Sequence, residues 1–111
     1  MLTVAEVPEY IRRAERLLTA DERRDLVSFL AVHPRAGVLM EGTGGVRKLR
    51  WGRQGRGKSG GVRVVYYFHS ESMPLYLLTL FAKNEQANLT HAERNELAGL
   101  VDTLVSVWLA R

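Results

Sequence analysis

The sequence predicts an α+β fold: a helical hairpin, then a small sheet, then a closing helix. Three observations predict it. Two capping-box signatures, Thr19 with Glu22 and Thr90 with Glu93, each precede apolar residues at helical spacing. Residues 62–69 are β-branched and aromatic and come after a glycine-rich turn, the pattern of a strand. Leu75–Ala82 is apolar on both faces, as a central and covered strand must be. A chain of 111 residues suffices for one domain with one core, expected to span residues 1–111.

Taken in order, Leu2, Val4 and Ala5 suggest a short first strand. Pro8 suits the first turn of a helix, where its missing N–H does no harm. Ile11, Ala14 and Leu18 then form one stripe, with Arg12, Arg13, Glu15 and Arg16 elsewhere. The second helix starts at the Thr19 box, presents Leu26, Phe29 and Leu30, and stops before His33 and Pro34. Residues 34–45 read as a loop. Residues 46–53 alternate as a strand, with Arg47, Leu49 and Trp51 on one face and Lys48 and Arg50 on the other. Residues 54–61 are a glycine-rich turn. The strand at 62–69 has Val62, Val64, Tyr66 and Phe68 on one face and Arg63, Val65, Tyr67 and His69 on the other. By this parity Tyr66 and Phe68 belong to the core. Residues 70–74 turn the chain into the third strand. The last helix carries Leu97, Leu100, Val101, Leu104, Val105 and Trp108 at helical spacing. It is expected to cover the sheet or a partner.

Charge is concentrated in residues 42–69. This stretch holds seven of the sixteen Lys and Arg residues, eight of the ten glycines and no Asp or Glu. Outside it nine basic residues face twelve acidic ones, so the formal +4 of the chain is a local field. Such a field attracts an anionic partner, nucleic acid above all. There is no cysteine, which excludes disulfides, thiolate metal sites and a cysteine nucleophile. No run approaches the ~18 apolar residues of a membrane span, and no signal peptide is expected from the first residues. A cytoplasmic location fits. No histidine or carboxylate spacing suggests a metal, and no cofactor is expected.

One motif misleads. Residues 52–59, GRQGRGKS, match the phosphate-loop pattern G-x-x-x-x-G-K-[ST]. That pattern needs a helix after it, whose N-terminus holds phosphate. Here Gly60, Gly61 and a strand come next, so a nucleotide triphosphatase is rejected.

If the strands at 46–53 and 62–69 are antiparallel neighbours, Lys48, Arg50 and Arg63 project from one face. Lys83 comes after the third strand with the parity of Thr79 and Phe81. Four cations then converge, with Tyr67 and His69 on the parity of Arg63. Lys and Arg neutralise phosphates, and aromatic rings stack on unpaired bases. Crowded cations also lower a lysine's pKa toward the range of general acid–base work.

The combination GTGGVRKLRW, GRGKSGGVRVVYYF and LYLLTLFAKNEQANLT resembles the HigB/RelE-type toxins of bacterial type II toxin–antitoxin systems, most closely the HigB-like branch. The likeness covers roughly residues 40–95. It implies a RelE-like fold, two N-terminal helices on a small antiparallel-rich sheet with a C-terminal helix. It implies a metal-independent endoribonuclease that cuts translated mRNA in the ribosomal A site and is neutralised by a cognate antitoxin. That antitoxin is expected to be a helix-turn-helix DNA-binding protein, through which alone operator DNA is reached. Lys48 and Arg50 sit where the family's strand cations lie, Arg63 matches the arginine after the glycine turn, and Lys83 matches a basic position after the last strand. In the RelE branch a second arginine and, several residues on, a tyrosine succeed that position. Here Asn84 succeeds it, and Asn88, Leu89 and Thr90 supply no tyrosine.

The catalytic set is therefore Arg63, Arg50, Lys48 and Lys83. Arg63 and Arg50 are expected to stabilise phosphate charge, and Lys48 or Lys83 to move protons. Arg53, Arg56 and Lys58 are expected to grip RNA backbone, and Tyr67 or His69 to hold a base, with Asn84 nearby. Lys83 has a plain alternative as a strand-end residue, and His69 as a turn residue. His33 and His91 lie at helix ends and receive no role. Two other functions compete: a ParE-like inhibitor of gyrase, and a non-catalytic module that binds nucleic acid or antitoxin.

Overall fold

A computed structural model describes residues 2–52, 61–86 and 88–110. The elements run β1 (Val4–Glu6), α1 (Pro8–Leu17), α2 (Ala20–Val32), β2 (Val38–Leu39), β3 (Val46–Trp51), β4 (Val62–Tyr67), β5 (Leu75–Ala82) and α3 (His91–Leu109). The strands form one sheet in the order β1-β5-β4-β3-β2. The β2–β3, β3–β4 and β4–β5 pairs are antiparallel, while β1 lies parallel to β5. The architecture is α+β, with helices on both faces of a mixed sheet.

The hairpin helices cover one face. Tyr10, Ala14 and Leu17 of α1 and Leu26 and Leu30 of α2 pack on Val62, Val64, Tyr66, Leu75, Leu77, Leu80 and Ala82. The buried stripe of α1 thus falls on Tyr10, Ala14 and Leu17, not on the expected Ile11. Leu18 is buried too, but from the extended residue that ends the helix. The Thr19–Glu22 capping box is present in both directions, Glu22 N to Thr19 Oγ1 at 3.1 Å and Thr19 N to Glu22 Oε1 at 2.8 Å. Strand β1 pairs only with Leu75–Leu77, which leaves the far end of β5 unpaired on its β1 side. Arg13 of α1 covers that edge by donating to the Leu80 carbonyl at 3.3 Å.

The other face carries Val46, Val65, Tyr67, Leu78 and Phe81 under α3. Helix α3 is capped by Thr90 and Glu93 as expected and anchored at its far end by Trp108 Nε1 donating to Tyr76 Oη at 2.7 Å. Of its six apolar positions Val101 is buried, Leu97, Leu104, Val105 and Trp108 are partly covered, and Leu100 is exposed. A bulge lies between the pairs Val65–Thr79 and Tyr66–Leu77 and makes Leu78 the extra residue. Leu78 and Thr79 consequently share the α3 side, a departure from alternation that an all-apolar strand does not announce.

The expected loop at 34–45 contains β2, whose two residues are too few to show a period. Its link to β3 is a glycine turn, with Gly44 and Gly45 at φ 75 and 111, values that L side chains rarely adopt. Thr43 pins this turn from inside, donating to the Met40 carbonyl at 2.7 Å and accepting from Val46 N at 3.1 Å. Both β3 and β4 end earlier than expected, at Trp51 and Tyr67. Phe68 stays in the core beyond the strand, with the Arg35 guanidinium 4.9 Å from its ring centre. No helix among the described residues is long and apolar enough to cross a membrane.

Candidate functional site

The register of β3 and β4 decides where the cations point. Arg50 lies directly opposite Arg63, Lys48 opposite Val65 and Val46 opposite Tyr67. On the other side of β4, Arg63 faces Phe81 and Val65 faces Thr79. Residues directly across a ladder share a face, with Cβ atoms about 5 Å apart. Lys48, Arg50 and Arg63 therefore emerge on one side of the sheet, beside the N-terminal end of α3. Arg47, their neighbour in sequence, emerges on the other. Its Nη1 donates to the Gly37 and Arg35 carbonyls at 2.8 and 3.2 Å, which ties the β2 approach to β3.

Arg63 is only 5% exposed. Burial lowers its pKa, and the charge of Arg50 lowers it further. Lys48 is half-buried. Its pKa is lowered chiefly by desolvation, then by the charges of Arg63, Arg94 and Arg50. Each of these effects disfavours the protonated amine, which moves Lys48 toward the neutral form that accepts a proton. Its Nζ donates to Asn88 Oδ1 at 3.3 Å, and the same oxygen accepts from Leu89 N at 3.0 Å.

Lys83 lies in the turn after β5 with its side chain exposed, and its N–H meets the Gly61 carbonyl at 3.4 Å. That contact sets its backbone beside the start of β4, two residues from Arg63. Asn84 is exposed in the same turn. His69 is exposed beyond the end of β4, with Nδ1 3.2 Å from Ser70 Oγ. Tyr67 is 6% exposed and enclosed in the apolar layer under α3. Burial raises its pKa, helped by the charge of Asp102. Arg53, Arg56 and Lys58 lie outside the described residues, as does most of the phosphate-loop look-alike. The chain beyond that segment enters strand β4 and not a helix.

Sequence reasoning missed Arg94 and the loop that seats it. Glu93 Oε1 accepts from Thr90 N at 2.8 Å and from Gln86 Nε2 at 2.9 Å, and Gln86 also donates to the Asn88 carbonyl at 2.7 Å. These bonds lower the pKa of Glu93, the backbone bond at Thr90 contributing most. They bring the start of α3 against β3 and set Arg94 near Lys48. One signal was available. A cation one residue past a capping box is set against the positive end of the helix dipole, so it asks for another reason to be there. Among the described residues no group of three His, Asp or Glu side chains is placed to hold a metal ion.

The arrangement offers a cationic surface with one lysine whose pKa is lowered by burial and by its cationic neighbours. A family model described as the RelE toxin of the RelE / RelB toxin-antitoxin system matches residues 25–108. The match takes in most of α2, every strand from β2 to β5 and nearly all of α3. This chain therefore belongs to the RelE toxin family, a toxin that pairs with an antitoxin.

Proposed function

We propose that this toxin is a ribosome-dependent endoribonuclease that cuts translated mRNA and so stops translation. The observation that carries the reading is the placement of Arg50 and Arg63 directly opposite each other, with Lys48 on the same face and its proton affinity lowered. Like charges across a ladder destabilise a sheet. A fold that keeps them together gains when an anion arrives between them. Perturbed proton affinities gather at functional sites for the same reason.

In this scheme the RNA supplies both nucleophile and leaving group, so no cofactor is required. The 2′-hydroxyl attacks the adjacent phosphate, and the bond to the 5′-oxygen breaks. The products are a 2′,3′-cyclic phosphate and a free 5′-hydroxyl. Lys48 takes the proton of the 2′-hydroxyl, and Lys83 returns one to the leaving 5′-oxygen. Arg63 and Arg50 stabilise charge growing on the phosphate oxygens. His69 and Asn84, both exposed, contact flanking nucleotides. Arg53, Arg56 and Lys58 grip backbone. The ribosome aligns the substrate, so the free toxin is nearly inactive on naked RNA.

The partner is an antitoxin of the helix-turn-helix type, which alone connects the toxin to operator DNA, and the pair acts in the cytoplasm. The GTGG, GKSGG and KNE segments favour the HigB-like branch. Mapping mRNA 5′ ends after induced expression, wild type against Arg63→Ala, tests the reading. New ends inside coding regions that vanish in the variant are expected. Identical ends with both proteins overturn the assigned site, and inhibited supercoiling with intact mRNA supports a gyrase inhibitor instead.

A further inference from the structure

A groove of about 210 Å³ runs alongside the cations, lined by Val38, Leu39, Met40, Glu41, Lys48 and Arg94. Its outer wall is β2, the edge strand of the sheet. Val38 lies opposite Lys48 and shares its face, and it is 72% exposed. Leu39 lies opposite Arg47. Met40 N bonds the Val46 carbonyl at 2.9 Å, so Met40 and Val46 form a hydrogen-bonded pair. Pairs alternate along an antiparallel ladder, which makes Leu39–Arg47 a non-bonded pair. The N–H and C=O of Leu39 therefore point away from β3, to the open edge of the sheet. Across the groove, Arg94 Nη1 donates to the Glu41 carbonyl at 3.2 Å, which holds its guanidinium over the opening.

These parts suit one unpaired nucleotide. The Arg94 guanidinium, with the Lys48 amine beside it, faces a phosphate, an exposed valine offers an apolar seat, and a free backbone donor and acceptor meet a base edge. The Glu41 carboxylate at the rim repels phosphate and accepts from a base amino group, which fixes the orientation of the nucleotide.

We propose that the β2 edge, Lys48 and Arg94 form a binding subsite for the single-stranded RNA nucleotide next to the cleaved phosphate. Arg94 is a binding residue of that subsite and takes no part in proton transfer. The proposal rests on the endoribonuclease reading for its place in the reaction, but not for its test.

The test is titration of the full-length, isotopically labelled toxin with a 2′-O-methyl adenosine trinucleotide, which cannot be cut. The Leu39 amide and the Arg94 side chain are followed by NMR. Both signals are expected to move and saturate together. Arg94→Gln is expected to weaken binding and to lower the log–log salt slope by about 0.7, the value of one single-strand phosphate contact. Arg94→Lys is expected to restore most of that slope. The wild-type shifts need no variant, so a misfolded substitution leaves the result readable. Absence of shifts at Leu39 and Arg94 overturns the subsite, whether or not the probe binds elsewhere. That result combined with Arg63-dependent cutting removes the subsite and keeps the enzyme. Shifts at both positions with no cutting of translated mRNA by the wild type keep the subsite and remove the enzyme.

Discussion

On the face covered by α1 and α2, the sheet cation Arg47 ends on two carbonyl oxygens. On the face shared with α3, Lys48, Arg50 and Arg63 meet one another. The strands are the same and the residues adjacent, yet on one side the cation ends on backbone carbonyls and on the other three cations lie within reach of one another's charge. A cation that closes a backbone gap belongs to the fold. Cations crowded against one another make folding harder, and an anion bound among them would offset that cost. The same division runs through the apolar residues. Helices α1 and α2 bury Tyr10, Ala14, Leu17, Leu26 and Leu30, whereas Val101 alone among the described residues of α3 is buried.

Substitutions sharpen this contrast. The largest effect on stability is expected at Leu77 on the hairpin face, where Leu77→Ala should cost about 2–5 kcal/mol in denaturant unfolding. Cutting measured well below the unfolding transition should persist. On the opposite face, Arg63→Ala should slow cutting on programmed ribosomes by about a hundredfold or more while leaving unfolding far less affected. Equal losses of stability in both variants would erase the distinction between the faces. Arg47→Ala should cost about 1–2 kcal/mol through its lost carbonyl bonds and leave the cut-site map unchanged.

A smaller loss, about 1 kcal/mol, is expected for Thr90→Ala, which removes the cap that sets the start of α3. Because Arg94 lies just past that cap, cutting should fall modestly as well. The smallest effect is a pH dependence at Lys48. Its folded pKa is below the ordinary 10.5. Between the two values the unfolded chain binds more protons, so stability should rise with pH across that interval. Below the folded value the penalty is fully present, and above 10.5 the relief is complete. Lys48→Gln should flatten that rise in pH-dependent unfolding, and it should also remove the gain in cutting rate at alkaline pH.

Much of this was legible from residue order. Period two in residues 46–51 separated Arg47 from Lys48 and Arg50, and the ladder preserves that separation. The Thr19 and Thr90 boxes gave both helix starts because capping is local chemistry, satisfied within four residues. Properties that depend on distant partners were not legible. Strand β2 has two residues and exists because β3 lies beside it. The bulge at Leu78 leaves no mark in a strand that is apolar throughout. Tyr67 has the parity of Arg63, and nothing local says that α3 closes over one and leaves the other next to Arg50. Arg94 meets Lys48 only because Gln86 and Asn88 fold the loop before α3 back onto β3.

The opposed arginines at 50 and 63 bear on how long the molecule lasts once it is alone. Their repulsion is a standing load on the uncomplexed chain, and any polyanion lying across them lifts it. Occupancy of that face thus raises resistance to unfolding by mass action. A copy with no anion across that face is expected to be the more perishable form.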